Sequence, residues 1–293
     1  MKIKSLKPLW ITLIVAVALV LLAVIVGVLN ATVGGGRWKI GWSSYRYDDS
    51  NFEMGGATVY ASAVTSIEID WLNGRVEAVV TDDAYLSISE ACEEAVSDVN
   101  TVRWSMGSDG KLTVKHRASG YYFGHAPEKV LTVRIPKKML SGLERVTVLS
   151  ESSNVLAEGL SAKELSVETV SGSVFLSDCT AQSLKLETVS GVATVTGSFA
   201  SIEAETVSGD ITLHPTSLTG TVKLSSVSGD LRIGLAEDSS FRVSFDTTSG
   251  SLSSDFALRS DGDGKIFGDG GAHLEISTVS GDATIEKKAI ATP

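Results

Sequence analysis

Three glutamates, Glu168, Glu187 and Glu205, recur at nearly equal spacing. Two carboxylates ~5–9.5 Å apart in a groove are what glycoside hydrolysis requires, and a row of carboxylates is also what a divalent cation bridges. In water, two unit charges ~5 Å apart repel by roughly 0.8 kcal/mol, so splayed side chains tolerate such a row without a metal. A second acidic group, Asp261, Asp263 and Asp269, lies in the stretch SDGDGKIFGDGG at 260–271. That stretch lacks the bidentate Glu of an EF-hand loop and the GGxGxD period of calcium-binding β-rolls, and reads as turn chemistry, a looped excursion or a short hairpin before the last regular rung. The histidines His116, His125, His214 and His273 are scattered, without metal or triad spacing. Cys92 and Cys179 have neither a CxxC partner nor a histidine at ligand spacing; both read as small side chains, and a disulfide between them is left open by sequence alone. No residue is assigned a catalytic, cofactor-binding or metal-binding role, no cofactor is implied, and the expectation is a protein that is not an enzyme.

The glutamates belong to a larger pattern that must position them. ETVSG ends at Gly172, Gly191 and Gly209, SSVSG at Gly229, DTTSG at Gly250 and STVSG at Gly281, in short and nearly equal steps until a longer last one from Gly250 to Gly281. Around each motif apolar residues alternate, as in Leu165, Val167 and Thr169 before the break and Val174 and Leu176 after it. Each unit therefore reads as strand, tight turn, strand, with the glycine expected to supply a positive φ at the turn. One such unit cannot bury its apolar face alone, so the units must stack. The expected fold is all-β, a β-solenoid with ~18–21-residue rungs. Propeller blades of ~40–50 residues do not match the period.

Stacking turns equivalent positions into columns ~4.8 Å apart. Thr169, Thr188, Thr206, Ser226, Thr247 and Thr278 form an inward hydroxyl column with a structural role. Lys185, Glu203 and Lys223 alternate in sign along a solvated face, and Glu168, Glu187 and Glu205, followed by Ser225 and Asp246, form the next column. Upstream, SIEIDWLNGRVEAV contains an Asn73-Gly74 turn, and VRWSM, KLTVKH and VLTVRIP are further strands. Asn154, one repeat period before Gly172, is expected at the corner of an atypical first rung. The last rung, ending near Glu286, Lys287 and Lys288, is expected to be an exposed edge guarded by those charges.

Leu9 to Leu29 form an uninterrupted run without a charge, which at ~1.5 Å per residue spans roughly 31 Å, the thickness of a bilayer core. The expectation is one transmembrane helix, with a cleaved signal peptide as the alternative; signal-peptide apolar regions are typically ~7–15 residues. Lys2, Lys4 and Lys7 precede it, placing the N-terminus in the cytoplasm and the rest of the chain outside. The expected organisation is a basic tail at 1–8, the helix at 9–29, a juxtamembrane linker at 30–63, an N-terminal β section at 64–145 that pairs with or caps the rungs, the repeats at 146–288 and a tail at 289–293. In the linker, Arg37, Trp38, Lys39, Trp42, Tyr45 and Tyr47 read as an interfacial belt. The external part holds every acidic residue and every basic one except Lys2, Lys4 and Lys7. It is thus strongly negative, the wrong sign for nucleic-acid binding.

The TVSG rungs, SIEIDWLNGRVEAV, VLTVRIP and the closing GAHLEISTVSGDATI together resemble the bacterial β-strand-repeat family known as a domain of unknown function and labelled putative adhesins, over roughly residues 64–288. That resemblance implies a right-handed β-solenoid with a cell-envelope role and carries no catalytic residues. The expected function is a membrane-anchored cell-surface module, adhesive or structural, with a cell-wall glycan or a membrane protein as partner. The alternative is the ectodomain of an envelope-stress sensing system, which with so short a cytoplasmic tail needs a membrane partner. Polysaccharide-active enzymes on β-helical scaffolds are the remaining class.

Overall fold

A computed structural model describes residues 42–262 and 264–288. The expected membrane-spanning segment, Arg37, Trp38, Lys39 and Asp263 lie outside the described residues, and no described helix is long and apolar enough to cross a membrane. The fold is all-β. Its strands assemble into a stack of parallel rungs, with antiparallel strands added at both ends.

Alternation sets which side chains point inward, and register carries that choice from rung to rung. Along one wall, Ile67, Val146, Leu165, Leu184, Ile202 and Val222 are successive register partners. Along the second wall the partners are Val76, Val155, Val174, Ala193, Ile211 and Leu231. All of these side chains are buried. A third, short wall aligns Ala162, Ala181, Phe199 and Leu218, and the three walls enclose one apolar core.

The corner between the first two walls explains the TVSG motif. The Gly209 N–H donates to Thr206 Oγ1 at 2.8 Å, and Gly172, Gly191, Gly229, Gly250 and Gly281 repeat the bond with their own Thr or Ser three residues before. None of these six glycines has a positive φ, so the turn conformation is not what requires them. A Cβ on Gly209 would instead sit 1.9 Å from the carbonyl oxygen of Gly191 in the rung beneath, and the other five face a backbone carbonyl in the same way. Glycine is required here by close backbone approach.

The stack begins earlier than the repeats suggest. Ser66–Thr81 runs through Asn73-Gly74 without a hairpin and pairs in parallel with Arg145–Glu158 on both sides of that corner. The corner residue of Arg145–Glu158 is Ser153, not Asn154: Ser153 carries the carbonyl beneath Gly172, while Asn154 Oδ1 accepts from Ser173 N–H at 3.0 Å. On the N-terminal side, Ala57–Tyr60, Tyr85–Ala91 and Lys129–Pro136 form an antiparallel set, as do Arg103–Met106 with Lys111–Lys115 and Trp42–Tyr45 with Gly120–Phe123.

At the other end, spatial order departs from chain order. Val222 pairs with Leu274, and Leu274 pairs with Val243. On the second wall Leu231 pairs with Ala283, and Ala283 with Leu252. The rung containing Gly281 is therefore inserted between those containing Gly229 and Gly250. The expected exposed edge at Glu286–Lys288 is an interior rung, and the outermost rung is Phe241–Thr247 with Leu252–Ser254. Arg259–Asp261 and Gly264–Phe267 pair antiparallel as a short hairpin, one of the two forms expected there, and Gly264–Phe267 also pairs antiparallel with Phe241–Thr247. Phe241, Phe256 and Phe267 pack over that end, with ring centroids 4.9–5.9 Å apart.

Candidate functional site

The charged columns lie on the outer side of the first wall, held by the inward partners Leu165, Leu184, Ile202 and Val222. Glu168, Glu187 and Glu205 are register neighbours there, as their spacing implied, and Glu205 is followed by Ser225. Lys185 Nζ lies 2.7 Å from Glu187 and 3.9 Å from Glu168, and Lys223 Nζ lies 2.5 Å from Glu203 and 3.5 Å from Glu205. The glutamates are not splayed into water. Glu187 is buried, and Glu168 and Glu205 are half-buried. Burial raises the Glu168 carboxyl above its usual range, with the neighbouring Glu187 adding to it. Burial likewise raises Glu205, opposed by Lys223 and reinforced by Glu203 and Glu187. Beside these columns a depression of about 600 Å³ is lined by both signs of charge, including Arg145, Glu164, Lys185 and Lys223.

A third column, Asp210, Asp230 and Asp282, emerges only in the structure. Asp210 Oδ1 accepts from Asp230 N–H at 2.9 Å, Asp230 Oδ1 from Asp282 N–H at 3.2 Å and Asp282 Oδ1 from Ser251 N–H at 2.8 Å. Each carboxylate thus ties one rung to the next. The signal was present, since an acidic residue follows the motif glycine in three rungs, but it becomes a ladder only in the inserted order of the last rungs.

The other chemistry-bearing residues do not converge. Cys92 and Cys179 are free thiols; Cys179 is buried and its thiol is pushed up to about 11 by that burial. Asp261 pairs with Arg242, and Asp269 lies in the turn that closes on Ser240. His214 packs over Gly234, where a Cβ would collide with its ring; His273 lies 3.5 Å from Glu275, and His125 is exposed. Among the described residues, no group of three His, Cys, Asp or Glu could hold a metal ion.

The aromatic segment also differs from its expected role. Tyr45 is buried, its hydroxyl donating to the Asp70 carbonyl at 3.3 Å, and Tyr47 donates to the Arg117 carbonyl at 2.8 Å. These two tyrosines face the protein, not an interface. They belong to a polar knot that fastens Trp42–Tyr45 and the segments between residues 85 and 128 onto Ser66–Thr81 and Lys129–Pro136. At its centre Lys129 Nζ is fully buried and donates three bonds of 2.6 Å, to Glu90 Oε2 and to the carbonyls of Asn100 and His116, using all three of its protons. His116 stacks edge-on against Trp71 at 4.5 Å. Burial, then Lys129 and Arg117, push its pKa well down, so it stays neutral. Lys115 and Asp70 pair at 2.9 Å. Beside the knot opens a groove of about 860 Å³, lined by Arg75, Cys92, Glu94, Asn100 and Glu128 among others. The basic run Lys115-His116-Arg117 hinted at this cluster, but its partners come from distant positions in the chain, which spacing does not reveal.

Across both places, side chains are engaged in holding rungs and segments together, and the outer face of the first wall carries charges of both signs. A family model described as toastrack DUF4097 matches residues 64–286. A comparison with curated proteins returns no match. Similar solved structures include a putative cell adhesion protein from Clostridium sporogenes, with 9% identity and a TM-score of 0.40, covering 81% of this chain and 100% of that one. A putative adhesin from Bacteroides fragilis has 13% identity and a TM-score of 0.42, covering 82% and 98%. A putative lipid binding protein from Parabacteroides distasonis has 13% identity and a TM-score of 0.43, with the same coverage. Likeness at this level speaks to neither ligand nor activity.

Proposed function

The chain belongs to the DUF4097 toastrack family, and on that premise we propose that it is a membrane-anchored cell-surface protein, a right-handed β-solenoid that works as an adhesive or structural interaction module and not as an enzyme. The anchor is Leu9–Leu29, preceded by Lys2, Lys4 and Lys7 on the cytoplasmic side. The observation that supports an interaction role is the state of the recurring polar groups. Thr and Ser hydroxyls cap the corner glycines, aspartates bind the next rung, and Glu187, Glu203 and Glu205 are engaged by Lys185 and Lys223. What remains outward is a repeating face of paired charges. Such a face suits many weak contacts with a long, repetitive ligand, and a cell-wall glycan is the partner class with that form.

The test uses the full chain in detergent, incubated with cell-wall glycans and, separately, with solubilised membrane proteins. The expected result is glycan retention that falls several-fold in the Lys185→Ala/Lys223→Ala variant. Capture of one specific membrane protein without glycan retention would favour the envelope-stress sensing alternative, and binding to neither would overturn the interaction reading.

A further inference from the structure

We infer that the face carrying Arg46, Tyr121 and Phe123 is a lipid-docking surface that lays the base of the domain on the bilayer from which the chain emerges. The inference rests on the membrane-anchor reading. It begins from two adjoining exposed aromatics, Phe123 at 77% and Tyr121 at 64% exposure. They stand two residues apart on Gly120–Phe123, so strand alternation puts them on one face. Tyr122 between them turns the other way, with the Arg117 guanidinium 3.6 Å above its ring and its hydroxyl donating to the Ala118 carbonyl at 2.6 Å. The inward side of this two-stranded sheet is thus already occupied by the polar knot, which fixes the orientation of the outward side.

The chemistry of that outward side is amphipathic. The Arg46 guanidinium donates to Tyr121 Oη at 3.0 Å and lies 5.1 Å from the centre of its ring. A cation, a phenol and an apolar ring therefore present themselves together, the combination that settles at the headgroup level, with the ring in the acyl boundary and the polar tips in water.

Position selects the occupant. Gly120–Phe123 pairs antiparallel with Trp42–Tyr45, the first described strand, and Phe123 is the register partner of Trp42. The apolar segment ends at Leu29, so only the stretch from Asn30 to Gly41 separates it from Trp42. A chain that short reaches at most ~40 Å when extended and far less when coiled. The tether thus holds this face close to the membrane, where a contact too weak to bind vesicles from solution is populated at high effective concentration. Tyr60 and Tyr85 form the other exposed aromatic pair, but the strand that tethering draws to the membrane is the partner of Gly120–Phe123. Asp48 and Asp49 flank the face and the external domain is strongly acidic, so the contact is with the interface itself and does not depend on anionic lipid.

The experiment reconstitutes the full chain into phosphatidylcholine vesicles. A Cys92→Ser/Phe123→Cys variant carries an environment-sensitive fluorophore, while Cys179 is buried and stays unlabelled. Three lots are compared, one with lipid bearing a shallow spin-label quencher, one with aqueous iodide and one with neither. A Tyr121→Cys variant serves if the first fails to retain the strand signal in circular dichroism, and a Tyr60→Cys variant reports on the other aromatic pair. The expected result is loss of most of the fluorescence at position 123 to the lipid quencher, little loss to iodide, and the reverse at position 60. A label at 123 that iodide quenches and lipid does not, on a chain that floats with the vesicles, overturns the docking face and leaves the anchor intact. Protection from both quenchers means protein covers the face and also overturns the inference. A chain that does not float with the vesicles overturns both readings.

Discussion

At the scale of single residues, the corner glycines separate two reasons for the same amino acid. Gly209→Ala places a methyl against the Gly191 carbonyl in a tightly stacked interior, where overpacking costs up to about 3 kcal/mol. Gly142→Ala meets nothing within 4 Å and has no positive φ, so its effect stays within about 0.5 kcal/mol. Urea midpoints of the two variants should differ accordingly, and equal midpoints would refute close approach as the cause. The motif's threonines and glycines were legible because they recur; the carbonyl beneath each glycine was not, since it belongs to the neighbouring rung and leaves no mark in local sequence. Glu205 carries a pH signature of definite sign. Its folded pKa is raised, so the native state holds this proton more tightly than the unfolded chain. The stabilising effect is fully present below the unfolded carboxyl value of about 4.3 and is lost as pH rises through the raised folded value. Glu205→Gln should therefore raise the midpoint at pH 7 and flatten its pH dependence from there down to the ordinary carboxylate range. The exposed carboxylates Asp83, Glu144 and Asp282 shift the opposite way, but solvent screening leaves them a small share.

At the scale of elements, alternation made the strands legible and the short repeat period made their parallel stacking legible. The order of the last two rungs was not, because Leu274 and Val243 satisfy the same inward position and either rung fits against Val222 by hydrophobic pattern alone. What distinguishes them is the aromatic trio. Phe241 and Phe256 must sit at the end of the core to meet Phe267 on the hairpin, and that sends the rung of Gly250 outward and draws the rung of Gly281 in. The Asn73-Gly74 dipeptide misled for a related reason: it has hairpin composition, yet its strand continues because Arg145–Glu158 pairs with it on both sides. Rung order can be read with paired cysteines. Ser225 and Ser277 are direct partners with hydroxyls 3.1 Å apart, within the geometry of a disulfide. Ser225 and Asp246 are two rungs apart, about 10 Å, beyond the ~7 Å Cα limit for a bridge. Ser225→Cys/Ser277→Cys should oxidise to an intramolecular disulfide and Ser225→Cys/Asp246→Cys should not. The opposite outcome would restore chain order.

At the scale of the molecule, a stack of parallel rungs has two ends, each a potential template for another copy, and the two ends here are closed by different chemistry. The N-terminal end is closed by antiparallel strands pinned through Lys129, with its three charge-assisted and carbonyl bonds; the C-terminal end is closed by the hairpin and three phenylalanines. Composition revealed the strong negative charge and nothing of these closures, because each depends on contacts between distant segments. The apolar closure is the one whose loss exposes a sticky surface. Phe256 is buried and touches both other rings, and removing it takes away packing worth about 3–5 kcal/mol in related large-to-small changes, loosening the hairpin from the outer rung. Phe256→Ser should then associate in a concentration-dependent way by sedimentation, and more strongly at high salt, because salt screens the repulsion between acidic copies. A variant that loses stability yet stays monomeric at every salt concentration would mean that the edge of Phe241–Thr247 is protected by something other than its aromatic cover.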